Sequence, residues 1–102
     1  MIAKDIFEEK LAAALKAQSD EAVIWNQAQA SAYQYALEML SHNDPLQLFN
    51  EKLSVATRGD ASEVPFGMDE RDAVSWHGAR VEAFRHIIDT MQAEPNSGPA
   101  MF

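Results

Sequence analysis

The sequence predicts an all-α fold: a long N-terminal helix or helical hairpin, a short middle helix, a long C-terminal helix and an extended C-terminal tail. Three observations predict it. Residues 3–41 contain no Gly or Pro and are rich in Ala, Leu, Glu, Gln and Lys, which are strong helix formers. Apolar residues recur at helical spacing in both halves of the chain, not in the alternation of a half-buried strand. Gly and Pro gather in residues 59–67 and 95–99, where the helical pattern stops. A chain of 102 residues fits one small domain, here residues 1–93 as a single helical domain with 94–102 as the tail.

In the first segment Phe7, Leu11, Ala14 and Leu15 share a face at 100° per residue. Trp25, Ala28, Ala32, Tyr33, Ala36, Met39 and Leu40 continue in the same phase. Ser19-Asp20 offers a cap between two helices. A break usually shifts the phase, and none shifts here, which favours one helix of about 55 Å at 1.5 Å per residue. Such a helix exceeds a compact globule of this size and calls for a bundle or coiled-coil-like assembly. Gln18 and Gln29 lie within the stripe, as polar residues do where they set register in a helical seam.

Ser41 to Asp44 reads as a turn. Asp44-Pro45 with Gln47 is a helix start, combining an N-cap, Pro at the first helical position and a capping-box partner. Leu46, Leu48, Phe49, Leu53 and Val55 give the short helix its apolar contacts, and Gly59 suits its C-terminal cap. The connector Arg58 to Gly67 is a loop. The last helix begins near Met68-Asp69, with Asp69, Glu70 and Asp72 favouring its N-terminus, and ends near Ala93. Its stripe is Ala73, Trp76, Arg80, Phe84, Ile87, Ile88 and Met91. The tail Glu94 to Phe102 ends in Met101 and Phe102, its natural anchors to this chain or a neighbour.

Two stretches echo one another. Ala22, Val23, Trp25, Ala28 and Ala32 recur as Ala73, Val74, Trp76, Ala79 and Ala83, followed by Tyr33 and Phe84. The echo is either an ancient duplication or, as the favoured reading, a shared packing demand, since a bulky aromatic followed by small residues at i+3 and i+7 lets another helix approach closely. The two helices are therefore expected to pack on each other, with Ala28/Ala32 and Ala79/Ala83 near the close crossings.

The net charge is −8, from 16 acidic and 8 basic residues. That field repels phosphate backbones, so direct nucleic-acid binding is not expected. The absence of Cys removes disulfide frameworks and thiolate chemistry. Asp5, Glu8 and Glu9 interrupt any signal-like N-terminus, and no apolar run reaches membrane-spanning length. A soluble, cytoplasmic protein is expected, or one assembled into a particle there.

No catalytic, cofactor-binding or metal-binding residues are expected, and the chain is not read as an enzyme. Glu82, His86 and Asp89 share a helix face, but no second Glu-x-x-His motif completes a di-metal site, and an i,i+4 Glu–His pair is the ordinary reading. Ser75 and His77 lie on different sides of their helix. Arg58-Gly59-Asp60 spells an adhesion tripeptide but sits where a turn is expected. The residues marked for partner binding are Trp25, Tyr35, Trp76, Arg80, Met101 and Phe102, with Arg80 one turn from Trp76 and able to stack on it.

The run W-H-G-A-R-V-E-A-F-R-H-I-I-D, Trp76 to Asp89, resembles a helix found in small uncharacterised proteins of tailed bacteriophages. There it is often written Gly-Arg-Ile-Glu-Ala-Leu with a following hydrophobic turn. This chain inserts Ala79 between Gly78 and Arg80 and carries Phe84 where Leu is usual. The resemblance implies no catalytic residues. It implies a minor virion or assembly component, or a small early protein that blocks a host system. The expected function is a non-enzymatic helical protein–protein interaction module that self-associates or docks onto a larger complex. The alternative is an acidic inhibitor of a host nucleic-acid-binding or defence system, and a small helical enzyme or ligand binder ranks last.

Overall fold

The computed structural model describes residues 2–16 and 23–93. They form four helices: α1 (Ile2–Lys16), α2 (Val23–Met39), α3 (Pro45–Arg58) and α4 (Glu70–Ala93), with one 3-10 turn at Ala61–Glu63. No strand occurs among the described residues. α2 packs against both α1 and α4, and α3 packs mainly against α4. The packing order is therefore α1, α2, α4, α3. The Ser19-Asp20 cap, Gln18 and the tail with Met101 and Phe102 lie outside the described residues.

One continuous N-terminal helix is not what forms. A straight helix would hold Phe7 and Tyr33 about 39 Å apart, yet their ring centroids lie 6.1 Å apart. α1 and α2 are separate helices laid against each other, as the hairpin reading has it. Their shared phase reflects a shared core rather than continuity. Ala3, Phe7 and Ala14 of α1 are buried, while Leu15 is 53% exposed, against the stripe expected for it. At 100° per residue Leu15 points about 80° away from Phe7, past the edge of the contact with α2.

The core forms where the four helices meet. Phe7, Tyr33, Phe49, Phe84 and Ile87 are its large members. Phe7 meets Phe49 edge-on at 6.5 Å, and Tyr35 touches both Phe49 at 6.3 Å and Phe84 at 5.9 Å. α2, held between two helices, is built from small residues: Ala28, Ala30, Ala32 and Ala36 are all buried. Ala28, Ala32, Ala79 and Ala83 are each fully buried, and α2 packs on α4, as the echo predicts. Gln29 donates through Nε2 to the Ala79 carbonyl across that crossing at 3.3 Å. Trp25 lies against Gly78, where an added Cβ would meet the indole at 3.5 Å, an ordinary contact.

The caps follow the sequence closely. Asp44 accepts from the Gln47 amide at 3.2 Å, while the Gln47 side chain donates to Glu51 at 3.4 Å instead of completing a capping box, and Gly59 closes α3 at φ 68°, ψ 40°, a left-handed conformation that a Cβ would penalise. Asp69 accepts from the Asp72 amide at 2.8 Å and so caps α4. Arg58-Gly59-Asp60 is the end of α3 and the start of the 3-10 turn.

His86 turns inward. Its Nδ1 lies 3.1 Å from the Tyr33 hydroxyl, and no group of three residues able to hold a metal occurs among the described residues. Burial, followed by the charge of Glu82, raises the Tyr33 pKa from 10.0 to about 12. The fold therefore holds the Tyr33 proton more tightly than the unfolded chain does. This contribution is intact below pH 10 and is lost as the pH rises through the folded value. Urea titrations should show the stability of the native chain falling by on the order of 2 kcal/mol between about pH 10 and pH 12. Tyr33→Phe should flatten that part of the profile, and equal slopes for the two proteins would count against it.

Candidate docking surface

Arg80 is the one charged residue among the buried ones described, at 8% exposure. A buried guanidinium needs compensation for lost hydration. It donates from one terminal nitrogen to Ser31 Oγ at 2.8 Å and from the other to Glu63 Oε1 at 3.4 Å. Its plane lies 5.8 Å from the Trp76 ring and 5.3 Å from the Phe84 ring, which adds cation–π attraction. Burial pulls the Arg80 pKa down, and the Glu63 carboxylate works against that. The Nε remains buried without a partner.

Glu63 ties the connector to the helices. Its Oε1 also accepts from Lys52 Nζ of α3 at 3.0 Å, and its backbone carbonyl accepts from Trp76 Nε1 at 2.9 Å. Lys52 in turn lies 5.2 Å over the Tyr35 ring. Val64 and Met68 follow the same path and pack against the cluster of Ala28, Trp76 and Ala79. The segment between α3 and α4 is thus seated at both side chain and backbone.

Its tip is held as well. The Met68 amide donates to the Pro65 carbonyl at 3.3 Å, closing a four-residue turn. Gly67 takes φ 88° at the third position, the signature of a type II turn. Phe66 sits at the second position and is wholly exposed, at 107% of its reference area. Val74, on the facing turn of α4, is 73% exposed. Between the loop and the start of α4 lies an open groove of about 1030 Å³, lined by Val64, Phe66, Met68, Ala73, Val74 and His77 among others. His77 Nδ1 is buried there without a partner.

Ser62 Oγ donates to Asp60 Oδ1 at 2.8 Å, and no hydrogen bond joins Ser62 to His77 among the described residues. Asp60 also accepts from the Ser62 amide at 3.0 Å. That bond, more than the one from the Ser62 hydroxyl, holds its pKa below the ordinary carboxylate range.

The sequence-marked residues are placed unevenly relative to this surface. Trp76, at 7% exposure, and Arg80 are interior. Tyr35 is half-buried between Phe49 and Phe84, and half-buried Trp25 lies on α4. These four serve contacts within the chain. Ser31, Lys52 and Glu63 were not marked, because pairs this far apart in sequence leave no local pattern. Phe66 did leave a signal: an aromatic between Pro65 and Gly67 has no core-facing periodicity to explain it. No helix described is long and apolar enough to cross a membrane. The chain matches no family model, no curated protein and no solved structure.

Proposed function

We propose that this protein is a non-enzymatic helical interaction module that docks another protein at the groove between residues 59–68 and the first turns of α4. The observation that carries the reading is Phe66, held fully in water at the tip of a turn bounded by Pro65 and Gly67, beside the exposed Val74. Leaving a Phe in water forgoes roughly 1.5–3 kcal/mol of burial, and a fixed turn holds it there ready for a partner. The apolar stripes of α2 and α4 are used inside the protein, so docking falls to this surface. A minor virion or assembly component of a tailed phage is the setting in which we place the module, on the resemblance of residues 76–89. The acidic character of residues 60–72 favours, as the second reading, an inhibitor that occupies a basic surface of a host protein.

Affinity capture from the cells of origin tests the proposal. The native chain should retain a partner at fixed stoichiometry, measured by the mass of the complex. The Phe66→Ser/Val74→Asp double variant should lose it by at least tenfold while melting at the same temperature, since both side chains are exposed. A folded double variant that keeps the same partner would refute the docking site.

A further inference from the structure

Half of the net charge belongs to the segment that builds the groove. Within residues 60–72, Asp60, Glu63, Asp69, Glu70 and Asp72 face only Arg71, a net −4 of the chain's −8. Glu63 is neutralised by Lys52 and Arg80, which leaves −3 beside the apolar floor. Asp69, Glu70 and Asp72 also suit the N-terminus of α4, but that helix end offers only about half a positive charge. Arg58, just before this segment, offsets part of the charge at Asp60, and the face stays net acidic. Asp60 and Asp69 already accept backbone hydrogen bonds, so their carboxylates stay fixed in place.

We infer that the groove takes a basic amphipathic helix from another protein, with its apolar stripe on Phe66, Val74 and Met68 and its flanking Lys and Arg residues against Glu70 and its acidic neighbours. This rests on the docking reading and names the class of partner. The groove offers no strand edge, because its walls are a loop and a helix. An extended peptide would leave its backbone groups unpaired over the apolar floor, whereas a helix satisfies them internally. A second copy is disfavoured, because groove-to-groove contact would set like acidic rims against each other and bring two chains of −8 together.

Selection from a displayed random-peptide library tests this, with the native chain as bait and the Phe66→Ser/Val74→Asp variant as counter-selection. Recovered peptides should carry net positive charge with apolar residues at i, i+3 and i+4. Their affinity should fall at least tenfold with Glu70→Lys/Asp72→Lys, and severalfold between about 50 mM and 200 mM salt. Variant-sensitive peptides that are neutral or acidic would overturn the basic partner while leaving the docking site standing. A dimer in sedimentation that Val74→Asp dissociates would also overturn it, in favour of a second copy. Recovery of no peptide sensitive to Phe66 and Val74 would refute the docking surface itself. Should the counter-selection variant fold poorly, the Glu70→Lys/Asp72→Lys comparison still decides the charge.

Discussion

Ala32→Trp will destabilise the protein by about 3 kcal/mol or more, the upper end of what overpacking a tight core exacts. Ala32 has no exposed surface, and its neighbours Ala28, Ala79 and Ala83 have none either. α2 is confined by α1 on one side and α4 on the other, so it cannot shift away from one without colliding with the other. The indole would have to displace the Phe7–Tyr33 contact or separate the α2–α4 crossing, and either breaks the core. For a domain of this length the melting temperature should drop by about 12 °C or more. Ala32→Gly, which adds no volume, should cost only about 1 kcal/mol through helix propensity. A Trp variant that melts with the native chain would mean that the alanines do not set the crossing.

Glu63→Ala should be nearly as damaging, by roughly 2–3 kcal/mol, because it removes the counter-charge of a buried cation. Arg80 would keep Ser31 and two aromatic rings but lose its carboxylate, and its Nε already lacks a partner. Lys52 is less affected, since about 29% of its side chain reaches water. The damage should therefore be relieved by removing the charge it strands. Glu63→Ala/Arg80→Met, which keeps an apolar stem against Trp76 and Phe84, should be more stable than Glu63→Ala alone. Urea unfolding of the four proteins in a double-mutant cycle should give a coupling of at least about 1.5 kcal/mol. Additive effects would mean that the pair does not hold the connector.

The elements of this fold were largely legible in the sequence because local chemistry dictates them. Asp44, Pro45 and Gly59 bracket α3, Asp69 opens α4, and the echoed alanines mark two helices that pack on each other. The N-terminal segment was misjudged in favour of one helix because α1 and α2 supply the same core, so their stripes stay in phase. Periodicity reports which face is buried, not whether the chain is straight. Arg80 was placed correctly within the stripe, but its role was read outward. Its partners Ser31 and Glu63 lie 49 and 17 residues away, beyond any local motif. Of the aromatics marked as partner anchors, Trp76 is buried and Trp25 and Tyr35 are half-buried against neighbouring helices, because large rings gain from burial. Phe66 stands out only as an aromatic between Pro65 and Gly67, and nothing local tells whether such a loop residue points into water or folds back onto the core.

The docking surface is tested most directly by amide hydrogen exchange on the native chain, alone and with its captured partner. The account predicts slowed exchange across residues 61–77, from the Pro65–Met68 turn to the Val74 face of α4, with α1 unchanged. Slowed exchange on α1 around the exposed Leu15, with residues 61–77 unaffected, would contradict it.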